Sequence, residues 1–304
     1  MAGAFTVVNL SQLPAPKVVE TLSFETILAE ILADFYERMN KTGQPFTALL
    51  ESDPAYKLAE CAAYRELLVR QRVNESAKAV MLAYATGADL DQLGANVGVA
   101  RLVITPPDET TVPPTPAVME SDDDFRARIQ LSPEAYTTAG SDGSYTFHAL
   151  GADADIKDVQ PVSPSPGVVT VYVLSRTGNG TATQPLLDTV AAKLNAKTVR
   201  PMTDQVAVLS AAIVNYEITA ELVIYPGPDS SVVLQTAKDA IKTYAEAMHR
   251  IGYDVTLSGI YAALHQPGVQ AVNLISPTAT LIIADGQASY ATAINVTVAD
   301  TSDV

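Results

Sequence analysis

A single cysteine, Cys61, leaves this chain without a disulfide framework or a thiolate metal cluster. Tryptophan is absent, and aromatic residues make up only 6%. Positive charge is scarce: 19 Lys and Arg face 34 Asp and Glu, a net charge of −15. A field of that sign repels nucleic acid and anionic lipid. The 3 histidines form no HExxH-like pattern. No apolar run reaches the roughly 18 residues of a membrane span, and no basic segment with an apolar core marks a signal peptide. The expectation is a soluble protein made in a cytoplasm, with no nucleic-acid partner and no direct membrane binding.

What is present is a globular balance. The 304 residues suffice for about two domains with real cores. Apolar residues reach 48% and charged residues only 17%, which suggests surface that partners cover.

The N-terminal third reads as helical. Ser23 is a good N-cap, and Leu22 can staple onto Ile27. Phe24, Ile27, Leu28, Ile31, Leu32, Phe35 and Met39 then recur at three- and four-residue steps, one amphipathic face ending near Thr42-Gly43. After a loop carrying Pro45, Ser52-Asp53-Pro54 restarts a helix with Pro at its first position. That second helix is expected to run to Thr86, roughly 50 Å at 1.5 Å per residue. Gly87 follows, and then a short helix opening at Asp89 and closing at Gly98. Cys61 lies in the second helix, where a small packed residue is the default.

A helix of that length has to bury its faces. Tyr56, Ala59, Ala63 and Leu67 form a stripe that Val73, Ala77, Val80 or Met81, and Tyr84 continue, around a polar girdle at Arg70-Gln71-Arg72 and Asn74-Glu75. Two readings remain open: an intrachain hairpin with the first helix, or a bundle between chains. In the second reading the interface comprises Ile27, Ile31, Phe35, Tyr56, Ala63, Leu67, Val73, Ala77, Val80 and Tyr84.

Prolines at 106, 107, 113, 114 and 116 suggest an extended, polyproline-like linker over 105–120. Asp122-Asp123-Asp124 opens the next helix, where acids meet the helix dipole, so capping is preferred to a metal site. Beyond Gly140 the pattern alternates. Helices are expected at Gly143–Leu150, Pro185–Ala196, Ser230–Met248 and Ser258–His265. Strands are expected at Ile156–Val162, Val168–Leu174, Gln205–Leu209, Ile213–Tyr225, Val269–Ile275, Ala279–Ile283 and Ile294–Val298. The class is α+β: a long-helix bundle region over 1–104, then two small α/β sandwich modules over 121–210 and 211–304. An internal echo aligns Ile156, Val159, Val162, Ser163 and Pro164 with Val269, Val272, Ile275, Ser276 and Pro277, each run following a helix with Tyr and His.

The search for chemistry assigns no catalytic, metal or cofactor residue. His148 lacks a nucleophile motif, and His249 and His265 have no ligand at metal spacing. Asp153, Asp155 and Asp158 depart from a calcium loop at Lys157. Gly178-Asn179-Gly180 lacks the third Gly and the Lys-Ser/Thr of a phosphate loop. A soluble α/β enzyme with a helical oligomerisation domain is the alternative from another class. It requires a convergent cluster that is not visible.

Several segments carry a resemblance. They are YRELLVRQRVNESAKAVMLAYATGADLDQLGANVGVAR (Tyr64–Arg101), SDDDFRARIQLSPEAY (Ser121–Tyr136), the run Tyr145–Leu150, VRPMTDQVAV (Val199–Val208) and ALHQPGVQAVNLISP (Ala263–Pro277). In this order they resemble the baseplate J-like family, the wedge components of contractile phage tails and their bactericidal relatives. The resemblance implies a non-enzymatic structural role at the tail baseplate, after assembly in the host bacterial cytoplasm. It implies a triplex of two copies with one smaller wedge partner, joined through intertwined N-terminal helices. It further implies that C-terminal domains pair with neighbouring wedges, closing a sixfold ring around the hub and spike, with contacts to hub, sheath or tail-fibre proteins. That ring would rearrange to trigger sheath contraction. An equivalent part of a related contractile injection or secretion system is the other setting.

Overall fold

The computed structural model describes residues 10, 13, 14, 16–41, 43, 49–137, 140–225 and 229–299. Thr42 and Pro45, placed by the sequence at the end of the first helix and in the following loop, lie outside them. The described chain forms two compact units that meet between Ala100 and Arg101.

The first unit is helical. Helix α1 spans Phe24–Lys41, and Ser23 Oγ accepts from the Thr26 N–H at 3.3 Å, the expected N-cap. Helix α2 spans Pro54–Ala79 and α3 spans Gly87–Asn96. The long helix therefore stops seven residues short of the expected Thr86, and its 26 residues measure about 39 Å. The cause is tertiary: consecutive turns over 80–84 swing the chain so that Ala85, Leu90 and Val99 all bury. Helix α3 opens two residues before the expected Asp89, which sits in its first turn. Its closure follows the sequence. Gly98 takes φ +71°, and the Val99 N–H reaches back to the Gly94 carbonyl at 2.9 Å.

The second unit runs from Arg101 onward. The proline-rich segment is a hairpin rather than an extended linker: strand β1 (Val103–Thr105) pairs antiparallel with β2 (Val118–Met119). An outer bridge joins Asp108 and Thr115, each N–H bonding the other's carbonyl at 2.9 Å. Prolines cannot donate to a ladder, so the pairing uses the non-proline residues between them.

Helix α4 (Asp122–Leu131) follows, capped by Ser121 Oγ accepting from the Asp124 N–H. Helix α5 (Asp142–Leu150), strands β3 (Ile156–Ser165) and β4 (Val168–Ser175), helix α6 (Gln184–Leu194) and strand β5 (Gln205–Ser210) build the first sheet layer. The strand order is β3-β4-β5, with β4 antiparallel to β3 and parallel to β5. Tyr145 and Ala149 of α5 and Leu186, Val190 and Leu194 of α6 bury against Val159, Val169, Val171 and Val173.

Strand β6 (Ala212–Ile224), helices α7 (Ser230–Met248) and α8 (Leu257–Leu264), and strands β7 (Val269–Ser276) and β8 (Gln287–Val298) form the second layer. Here β6 is central, antiparallel to β7 and parallel to β8. Its alternation places Ile218, Ala220, Leu222 and Ile224 against Ala237 and Ile241 of α7 and Ile260 and Leu264 of α8. The strand expected at Ala279–Ile283 is absent. Leu281 instead exchanges both backbone hydrogen bonds with Val255, and the chain enters the sheet only at Gln287. The echo holds locally: α5–β3 and α8–β7 each deliver an edge strand antiparallel to the central one.

The two layers are fused. Only Ala211 separates β5 from β6, and its N–H donates to the Val173 carbonyl at 2.9 Å. Leu174, Ala211, Ile251 and Ala288 form a shared core cluster. Gln160 receives the Gly286 N–H at 2.7 Å and donates to Asp285 at 2.9 Å. Gly286 has φ +73°, and a Cβ there would lie 2.7–2.9 Å from the Tyr172 ring. Gly286→Ala combines backbone strain with a clash, so it is expected to destabilise this unit by about 1–3 kcal/mol. Thermal denaturation of the variant checks this, and an unchanged melting temperature would contradict the close packing.

Candidate assembly interface

The sequence-derived interface residues lie on α1, on α2 and just beyond the end of α2, and they differ in exposure. Ile27 and Ala63 are buried within the chain itself, where α1 packs on α2. Ile31, Phe35, Tyr56, Leu67, Ala77 and Tyr84 are half-buried. Val73 and Val80 are 55% and 71% exposed.

The polar girdle of the sequence reading includes a clasp between α2 and the chain before α1. Asn74 is buried, accepting from the Glu20 N–H at 3.0 Å and donating to the Glu20 carbonyl at 2.9 Å. Beside it Arg70 binds Glu66 at 2.6 Å, with Glu20 at 3.6 Å and Glu30 of α1 at 3.9 Å. These contacts fasten the chain before α1, and α1 itself, to one side of α2.

About 110° around α2 from Ala63 lies a second, exposed flank with apolar positions. Leu58 is 71% exposed and Val69 63%. Leu58, Val69 and Val80 lie eleven residues apart, as do Ala62 and Val73. Eleven residues make three turns with about 20° of drift, so these five positions form one straight stripe along the helix. Leu58 and Val69 escaped the sequence reading because it followed the seven-residue stripe of Tyr56, Ala63 and Ala77, the one that α1 uses. The eleven-residue spacing was the available signal. Cys61 is exposed as well, contrary to its expected packing, because α1 covers only the other side.

Three family models match the chain in order. The Baseplate J-like N-terminal domain covers residues 51–108, the Baseplate J-like central domain 137–210, and the Baseplate J-like protein C-terminal domain 216–297. Baseplate protein J of Escherichia phage P2 is 51% identical over 289 residues, 94% of this chain and 96% of that protein. The chain belongs to the baseplate J-like family. Among solved structures, a chain of the six-fold symmetrised cryo-EM baseplate of the anti-feeding prophage is similar at TM-score 0.42 and 16% identity. The match covers 60% of this chain and 44% of that one.

In this baseplate J-like chain the residues considered for chemistry are engaged separately. Asp122, Asp123 and Asp124 pair with Arg101, Arg126 and Arg176 at 2.7, 2.6 and 2.9 Å. Asp153 accepts from the Asp155 N–H, Asp155 from Ser175 Oγ, and Asp158 from the Ile251 N–H, so the three carboxylates diverge. Asn179 Oδ1 accepts from the Thr181 N–H, which closes the Gly178–Gly180 turn. His249 Nδ1 contacts the Ser289 carbonyl at 2.5 Å, and burial holds its pKa below the usual histidine value. Burial also lowers His148, with Lys193 adding to the effect. His265 caps the end of α8. Among the described residues no His, Cys, Asp and Glu side chains gather as a metal site, and no helix is long and apolar enough to cross a membrane.

Proposed function

We propose that this baseplate J-like protein is a structural, non-enzymatic wedge subunit of a contractile tail baseplate, assembled in the host cytoplasm. Its α2 stripe seats helices of a second copy and of a smaller wedge protein. The unit from Arg101 onward pairs with neighbouring wedges in a sixfold ring around the hub. Rearrangement of that ring releases the sheath. The observation that carries the reading is the open stripe of Leu58, Val69 and Val80, with Ala62 and Val73 beside it. A row of exposed valine and leucine along a three-turn repeat loses hydrophobic stabilisation in water, at about 25 cal/mol per Å², until another helix covers it.

Co-expression with the genes adjacent to it, followed by light scattering and electron microscopy, tests the reading. The expected product is a heteromeric complex with two copies of this chain per smaller partner, which enters ring-shaped particles. A chain that stays monomeric with every neighbouring product, and never enters a larger particle, would sink it.

A further inference from the structure

We propose that a cavity of about 270 Å³ in the second unit is an oxyanion site, which takes one carboxylate or phosphate-type group between Lys157 and Arg250. It lies where the base of the β1–β2 hairpin, α4, α5, the start of β3 and the loop after α7 converge. The volume holds a small anion with a few waters at about 30 Å³ each.

The charges around the cavity are unevenly matched. Each carboxylate on its wall already has a partner: Glu120 has Arg128 at 2.7 Å, and Asp123 has Arg126 at 2.6 Å. Asp124 has Arg176 at 2.9 Å, and Asp158 accepts the Ile251 N–H at 2.9 Å. Two cations on the same wall are left over. Among the described residues the Arg250 side chain has no hydrogen bond or ion pair, and Lys157 Nζ has only a 3.5 Å contact to the Glu246 carbonyl.

Lys157 is half-buried and Arg250 beside it is exposed, so the lysine is the charge whose burial is costly unless something neutralises it. Burial pushes the Lys157 ammonium down, Arg250 and Arg176 add to the effect, and the Glu246 and Asp158 carboxylates oppose it. Burial raises the Asp158 carboxyl above the usual aspartate value, and the Ile251 N–H, Arg250 and Lys157 oppose that shift. An incoming anion binds both cations through charge-assisted hydrogen bonds. The apolar side of the cavity, with Leu131, Leu150 and Ile156, suits an oxyanion carried on a short hydrocarbon stem. Its source is an acidic side chain of a neighbouring protein or a free anion.

Calorimetric titration of the full chain at low ionic strength tests the site with two probes, inorganic phosphate and a blocked single glutamate. Saturable binding is expected, weakened at least tenfold in Lys157→Met/Arg250→Met and retained in Lys157→Arg. The melting temperature of the double variant guards against misfolding, and the Lys157→Arg result stands if that variant fails to fold. Binding of the glutamate probe supports an acidic side chain as the source, and binding of phosphate alone supports a free anion. No saturation with either probe, or equal affinity in the double variant, overturns the site. The measurement uses the isolated chain, so its failure leaves the assembly reading untouched.

Discussion

Val69→Asp/Val73→Asp is expected to leave the isolated chain folded and to remove it from every larger complex. Both side chains face solvent in the lone chain, so aspartate there changes its stability by no more than about 0.5 kcal/mol per site. In a bundle the same two carboxylates would be desolvated without partners. A penalty of at least about 4 kcal/mol is then expected, roughly a thousandfold in the association constant. Size-exclusion chromatography with light scattering reads the loss, and circular dichroism confirms the fold. Leu67→Asp is the informative contrast. Leu67 is half-buried on the side of α2 that carries Ala63 and Asn74, so a charge there should weaken the helical unit itself. Val80→Asp should behave like the Val69/Val73 pair. Normal complex formation by the double variant would mean that another surface joins the chains.

Arg128→Met is expected to produce the largest loss of stability in the unit from Arg101 onward. Its guanidinium meets Glu120 at 2.7 Å, and the two side chains are only 8% and 3% exposed. Removing the arginine strands a buried carboxylate, at a cost of about 3–5 kcal/mol. For a unit of this size that corresponds to a fall of roughly 10 °C in melting temperature. Glu120 also accepts the Leu102 N–H at 3.1 Å, and its carbonyl accepts from Arg101 at 2.8 Å, so the base of the β1–β2 hairpin should loosen with it. The Glu120→Leu/Arg128→Met double variant should recover much of the loss, because no unpaired charge remains. A single variant that melts like the parent would show that the pair is hydrated in solution.

The elements most legible in the sequence were those with strong local signals. Ser23 caps where expected, and Gly98 closes α3, because caps and glycine turns are decided within a few residues. The β-branched run at Val168–Ser175 became the central strand of its sheet. The misreadings share a cause: distant residues decided them. Leu281 pairs with Val255 rather than with a sheet. The prolines of 106–116 flank a hairpin because two residues between them found each other.

Family membership and the α+β class were determined by the sequence alone. So was the absence of a recognisable catalytic motif, because each depends on residue identity and short-range spacing. Which face of α2 is open was decided only by tertiary structure. The sequence offers two stripes of similar apolarity, and periodicity cannot say which of them α1 will cover. Packing α1 over Ala63, with the Asn74 clasp and the Arg70 ion pairs, occupies the seven-residue stripe. The eleven-residue stripe of Leu58, Val69 and Val80 remains in water, and a hydrophobic surface of that regularity needs a partner.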